Sequence, residues 1–248
     1  MSDFFLYGFI QGVTEFFPVS SSGHLYLLKK LFGAKGDYLY FFIFLHIATL
    51  LAIFIFLRKK LPLALKDKNF ILHIAIITFI TAVIGLCIDK FIEPFFESRL
   101  LVPICLGVTG ALVLSTKKLS IKRDSLKLCF KDSIFLGVLQ GLSVLPGLSR
   151  SGITISGLLL RGLRPKDAFF VSFLMAIPAT AGAFILKSSE IFKPPNIAFS
   201  GLFAGFFAAL ITGISALAIL RKLMENQRFY MFGYYCFFIS IVSIFLFK

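Results

Sequence analysis

The sequence predicts an all-α polytopic membrane protein, arranged as an inverted-topology repeat in which each unit is a re-entrant helical hairpin followed by three transmembrane helices. Three observations lead there: composition, the lengths of the apolar stretches, and a self-similarity at fixed offset. The chain has 248 residues, 58% of them hydrophobic and 15% charged, with a mean hydropathy of +0.93. A soluble domain of this size carries about 25% charge, so an ordinary globular enzyme is excluded. Disorder is excluded as well, because the apolar content is far above that of chains that cannot collapse.

A helix needs about 20 apolar residues to cross a bilayer. Six stretches satisfy this, at 38–57, 69–88, 100–115, 168–186, 197–220 and 230–247. The third is short and is expected to extend into its flanks. Two other apolar regions, 4–32 and 134–163, are interrupted by Gly, Pro and Ser and read as re-entrant hairpins. Non-helical backbone at membrane depth is tolerated only where protein or a wet cavity satisfies its polar groups, so each break is a candidate site.

The repeat aligns Gly8–Gly23 (GFIQGVTEFFPVSSSG) with Gly137–Gly152 (GVLQGLSVLPGLSRSG) at a constant offset of 129, six of sixteen positions being identical. The same offset matches Phe44-Leu45 with Phe173-Leu174. The chain therefore reads as one integral membrane domain over 1–248, with repeat units at about 1–116 and 130–248. Three spans per unit is an odd number, so the second copy is expected upside down relative to the first, with the two hairpin tips meeting near the midplane. Inverted repeats with broken helices place binding sites at that junction.

The net charge of +14 is sorted by loop. Segments 58–68, 116–133, 161–167 and 221–229 hold 17 Lys and Arg together, whereas 29–37, 89–99, 187–196 and the C-terminus hold 8. The positive-inside rule then predicts the first set in the cytoplasm and both termini outside. No nucleic-acid-binding motif competes with this explanation of the basic charge. The N-terminus has neither a basic stretch nor an A-x-A cleavage site, so no removable signal peptide is expected.

Two charges do not fit the loops: Glu15 in the first broken hairpin and Arg150 in the second. An ionisable group at membrane depth costs at least about 2.5–3.5 kcal/mol, and pairing across the junction or around a shared ligand offsets that. Gln11, Pro18, Ser20, Ser21, Ser22, Gly23 and His24 accompany Glu15. Pro146, Gly147, Ser149, Ser151, Gly152 and Thr154 accompany Arg150. Hydroxyls, freed backbone N–H groups and a guanidinium make an anion cradle. A carboxylate beside an amide suits Mg²⁺ or Ca²⁺, hard cations that take oxygen ligands. Serine with histidine nearby permits nucleophilic attack on phosphorus. The combination predicts phosphate-ester or diphosphate chemistry on an amphiphilic substrate.

At these residues the chain resembles the bacterial undecaprenyl-diphosphate phosphatase family, the bacitracin-resistance proteins. Its [E/Q]xxxE motif reads Gln11-Gly12-Val13-Thr14-Glu15, followed by Phe16-Phe17-Pro18-Val19-Ser20-Ser21-Ser22-Gly23-His24. Its PGxSRSxxT motif reads Pro146-Gly147-Leu148-Ser149-Arg150-Ser151-Gly152-Ile153-Thr154. An LHxxTLLA-like run from Leu45 to Ala52 and the stretch Ala168 to Gly182 also match. The resemblance implies an inner-membrane hydrolase that converts undecaprenyl diphosphate to undecaprenyl phosphate and inorganic phosphate, recycling the lipid carrier for peptidoglycan and other envelope glycans. It implies bacitracin resistance too. By the same resemblance, Glu15 is a metal-binding or catalytic carboxylate and Ser21 the nucleophile. His24 is the proton-transfer partner and Arg150 the diphosphate clamp. Ser20, Ser22, Ser149, Ser151 and Thr154 are substrate-binding hydroxyls. Glutamine rather than glutamate at position 11 removes one anionic metal ligand, so Glu15 and Gln11 would hold Mg²⁺ or Ca²⁺ only together with substrate phosphates. Phe41-Phe42 stand where relatives often carry a further carboxylate. The implied partners are undecaprenyl diphosphate and the bilayer, with a homodimer left open.

The alternative function is a polyprenyl-phosphate flippase or secondary transporter, since inverted repeats are transporter architecture. His46 and His73 read as hydrogen-bonded packing residues, and Arg161, Arg164 and Lys166 as topology signals. Asp89, Glu93 and Glu97 read as a solvated loop face, and Gly201 with Gly205 as a close helix contact.

Overall fold

The computed structural model describes residues 2–31, 39–92, 99–119, 123, 127–186 and 199–246. Among these, regular structure is helical throughout: α1 (Ser2–Phe16), α2 (Ser21–Leu31), α3 (Leu39–Leu57), α4 (Leu61–Ala64), α5 (Lys68–Ile92), α6 (Leu101–Ser115), α7 (Phe130–Leu142), α8 (Arg150–Leu160), α9 (Pro165–Leu186), α10 (Phe199–Glu225) and α11 (Met231–Leu246). Four helical segments are long and apolar enough to cross a membrane: Lys68–Ile88, Leu101–Lys118, Pro165–Leu186 and Phe199–Glu225. Phe41–Leu57 and Met231–Leu246 are shorter apolar helices. The short third span gains its length from a 3₁₀ turn over Thr116–Lys118. Phe79, Ile211 and Phe245 lie on the outer surface, the side that hydrocarbon rather than water covers. Glu93 and Glu97 lie outside the described residues, as do the side chain of Asp89 and most of the loops counted as external.

Both predicted interruptions are present, between α1 and α2 and between α7 and α8. Pro18 biases Phe17 away from the helical region, and α1 stops at Phe16. Ser20 then takes a left-handed conformation, φ 66°, before α2 begins. In the second break Gly147 has φ +94°, and a Cβ there would lie 2.6 Å from the Val102 carbonyl oxygen. Only glycine accepts both conditions cheaply.

The first helix of each broken pair is seated on a span from the other half of the chain. α1 lies along α10, so close that a Cβ on Gly8 would come within 2.1 Å of the Gly205 carbonyl oxygen. The expected close contact of Gly201 and Gly205 is thus made with α1 and α3, through Phe4, Gly8 and Phe41. α7 lies along α5, with Gly137 against Ile80 and Gly141 against Ile84. α6 pairs with α11. The two breaks consequently touch: Ser151 donates its hydroxyl to the Phe17 carbonyl at 3.1 Å, and Gly152 abuts Pro18 while Gly23 abuts Gly147.

Away from the breaks, Asp132 at the start of α7 is 1% exposed. Its carboxylate accepts from Arg123 Nη1 at 2.8 Å, Arg161 Nε at 2.7 Å and the Cys129 backbone N–H at 2.9 Å. Burial alone would raise its pKa; these three bonds win and hold it at about 2. Arg161, read from sequence as a topology signal, is therefore also a structural ion-pair partner. His73 donates to or accepts from Ser133 Oγ at 2.8 Å, the hydrogen-bonded packing role expected of it.

Candidate active site

Glu15 sits on the last turn of α1, facing the junction of the two breaks, with its side chain 9% exposed. Arg150, the first residue of α8, donates through Nη2 to Glu15 Oε1. Ser21, the first residue of α2, donates its hydroxyl to Glu15 Oε2 at 2.6 Å. Gln11, one turn earlier on α1, donates its amide to the same oxygen at 3.1 Å. The helix starts at Ser21 and Arg150 thus converge on one carboxylate, and helix N-termini attract anions through their free N–H groups and dipole.

Two buried atoms of this cluster have no hydrogen-bond partner among the described residues: Arg150 Nη1 and Gln11 Oε1. A guanidinium nitrogen can only donate, so Arg150 Nη1 lacks an acceptor, and a phosphate oxygen is the chemistry that would supply one.

At the offset of 129 the two breaks carry different groups: Glu15 aligns with Val144, and Ser21 aligns with Arg150. One break therefore contributes the carboxylate and hydroxyl, and the other puts a guanidinium where the hydroxyl would stand. The surrounding caps are alike. Ser20 Oγ accepts from Gly23 N at 3.3 Å and lies 3.2 Å from Ser22 Oγ. Ser149 Oγ accepts from Gly152 N at 3.1 Å and lies 3.2 Å from Ser151 Oγ.

Those caps change the reading of several hydroxyls. Ser149, Ser151 and Thr154 are at most 2% exposed. Ser151 spends its proton on the Phe17 carbonyl, and Thr154 spends its own on the Arg150 carbonyl at 2.7 Å. Ser149 and Ser20 act as helix caps. In this arrangement they build the breaks rather than face a ligand, whereas Ser22 is exposed. His24 is also differently engaged than expected. Its Nδ1 donates to the Ser20 carbonyl at 2.9 Å, and Nε2 accepts from Tyr235 Oη at 2.8 Å, with the two rings stacked. Both nitrogens are taken, and the group at the Ser21 hydroxyl is Glu15.

The histidine that the structure does bring to the cluster is His46 on α3, whose Nε2 lies 3.7 Å from Glu15 Oε2. Its Nδ1 donates to the Phe42 carbonyl at 2.7 Å, which leaves Nε2 turned toward Glu15. Sequence reading expected a hydrogen-bonded packing role for His46, and the bond to Phe42 fits it; the approach to Glu15 is a further contact, of the kind that an ionisable residue in a span can signal. His46 also lines an apolar groove of about 410 Å³ between α3 and α9, walled by Ile43, Ile47, Leu50, Phe184 and Ile185.

The family model described as "Bacitracin resistance protein BacA" matches residues 4–242. A Methanococcus maripaludis protein named undecaprenyl-diphosphatase is 37% identical over 238 residues, covering 92% of this chain and 93% of its own length. Proteins of the same name from Carboxydothermus hydrogenoformans and Thermosipho africanus are 38% and 37% identical, each over 247 residues. They cover 96% of this chain and 94% and 97% of their own lengths.

Proposed function

The chain belongs to the bacitracin resistance protein BacA family, and we propose that Glu15, Ser21 and Arg150 are the groups with which it works. It is an undecaprenyl-diphosphatase: it hydrolyses undecaprenyl diphosphate to undecaprenyl phosphate and inorganic phosphate, the step behind bacitracin resistance. The observation that carries the assignment of residues is the Glu15 carboxylate, bonded on one oxygen to Ser21 and on the other to an arginine with a spare donor.

In this reading Arg150 binds the terminal phosphoryl group through Nη1 and offsets charge on its oxygens as the bond to the leaving group lengthens. Ser21 Oγ attacks the terminal phosphorus, its proton passing to Glu15 Oε2. The bond from that phosphorus to the bridging oxygen breaks, undecaprenyl phosphate leaves, and phosphoserine remains. Water then attacks the phosphoserine and passes a proton to His46 Nε2, while Glu15 returns the first proton to the departing Ser21 Oγ; the phosphorus–Oγ bond breaks, and inorganic phosphate departs with Ser21 restored. The isoprenoid chain lies in the apolar groove that His46 also lines. His24 orients α2 through Tyr235 in this scheme.

Among the described residues no group of three His, Cys, Asp or Glu could hold a metal by itself. Glu15 and the unpartnered Gln11 Oε1 offer two oxygens on neighbouring turns, which fits Mg²⁺ or Ca²⁺ only with phosphate oxygens completing the shell. When bound, such an ion supplies charge neutralisation of the diphosphate. The common pattern of caps at offset 129 and the crossed seating of α1 and α7 support an inverted repeat of units 1–116 and 130–248. The clustering of cations at one set of loops supports a cytoplasmic location for them, with both termini outside the inner membrane.

The deciding experiment is phosphate release from undecaprenyl diphosphate by the purified protein, with acid quenching to trap the enzyme. Phosphoserine at Ser21, absent in Ser21→Ala together with activity, is the expected result. Full turnover by Ser21→Ala would transfer the attack to a water activated by Glu15.

A further inference from the structure

The ends of α3, α9 and α10 that lie together enclose a second cavity, of about 410 Å³, sharing no lining residue with the Glu15 cluster. Arg58, Lys59 and Lys60 reach it from the end of α3, Lys166 from the start of α9 and Arg221 from α10. Its remaining wall is apolar and includes Phe56, Phe169, Phe170 and Ile214. No carboxylate is among its described lining residues.

Orientation in the bilayer explains a surplus of cations near span ends. It does not require cations from three separate helices to turn over one concavity, nor to do so above an aromatic wall. Lys60 Nζ stands 5.3 Å from the centre of the Phe170 ring. Burial, then the nearby charges of Lys166 and Arg221, push the Lys60 pKa down, with Asp167 and Glu225 opposing only in part. The Arg221–Glu225 pair is exposed, at 3.0 Å along one helix, and leaves the excess positive charge in place. The cations therefore repel one another across the cavity, and a bound anion relieves that repulsion. A basic rim over an apolar wall at a span end has the chemistry of a site for a phosphate carried on hydrocarbon.

We propose that this cavity binds the phosphate group of an anionic lipid, with the headgroup among Lys60, Lys166 and Arg221 and the proximal acyl chain against Phe169, Phe170 and Ile214. The occupant is membrane lipid rather than substrate in turnover, because nothing at the cavity resembles the hydroxyl and carboxylate of the active site.

The chain contains no tryptophan, so Phe170→Trp introduces a unique fluorophore that keeps an aromatic face under Lys60. In nanodiscs of the full chain, brominated phosphatidylglycerol should quench it at a mole fraction about tenfold below that needed with brominated phosphatidylcholine, as charge attraction by several cations requires. Lys60→Gln with Lys166→Gln should abolish the difference while phosphate release from undecaprenyl diphosphate continues. Should the double variant fail to insert, Arg221→Gln alone should reduce the preference severalfold. Millimolar inorganic phosphate separates the sources. Displacement of the brominated lipid would mean that free phosphate suffices and overturns the lipid commitment; no displacement upholds it. Equal quenching by both lipids, or a preference that survives the lysine substitutions, overturns the site altogether.

Discussion

Asp132 and Glu15 are both largely shielded carboxylates, 1% and 9% exposed at the side chain, and both are held by arginine. Their surroundings differ in one respect. Around Asp132 each oxygen is bonded, to Arg161 on one side and to Arg123 and the Cys129 N–H on the other. Around Glu15 the carboxylate is also saturated, yet its partners are not: Arg150 Nη1 and Gln11 Oε1 remain unpaired in the interior. An unpaired buried donor costs about 1–3 kcal/mol, a penalty a purely structural ion pair has no reason to carry. Saturation goes with the pair that fastens α7; leftover hydrogen-bonding capacity goes with the pair proposed to bind the diphosphate.

Four experiments break or sharpen this contrast. Arg150→Ala should lower phosphate release on the order of 1,000-fold or more, the usual weight of an arginine on transferring phosphoryl groups, with helical content and thermal midpoint near those of the parent. Near-normal turnover would make the two pairs equivalent. Asp132→Asn should do the reverse. Stability falls by about 3 kcal/mol, at the low end for breaking a buried pair because both arginines reach solvent, and activity per folded molecule stays within about twofold. Thermal melts and titrated active protein measure both. Third, the Asp132 contribution is pH-dependent. Its folded pKa, about 2, lies below the ordinary 3.8, so its stabilisation is full above 3.8 and is lost as the pH falls through about 2. That amounts to about 2 kcal/mol at 1.36 per unit, seen as a shallower acid limb in Asp132→Asn unfolding. The smallest expected effect is His46→Gln, a loss of about tenfold in turnover, as for an auxiliary proton carrier. Unchanged turnover would return His46 to packing.

The contrast also shows what the sequence could and could not disclose. Span positions followed from apolar length, and the breaks from Pro18, Pro146 and Gly147, because these are local properties of the chain. Glu15 and Arg150 stood out since a charge at membrane depth is costly wherever it points. His46 was lost among apolar neighbours: whether its ring meets Glu15 depends on how α3 is rotated against α1, and periodicity does not report that. The same limit hid the pairing of Asp132, whose arginines lie 9 residues before it and 29 after. It also hid the contact of His24, which shares a helix with Ser21 and reaches Tyr235, 211 residues away. The caps of Ser149 and Ser151 were likewise legible as hydroxyls but not as spent ones.

The seating of α1 on α10 bears on how the molecule is made. Gly8 waits for Gly205, nearly the whole chain later, and at 5–20 residues per second that is a delay of about 10–40 s during synthesis. Until α10 arrives, the helix bearing Glu15 has only α2 and α3 to rest on, and α7 meanwhile can settle on α5. Neither half can finish alone, so a chain cut in the 116–130 connection should regain activity only when both pieces are produced in one membrane. A truncated product, by the same logic, carries an idle carboxylate rather than a half-working hydrolase.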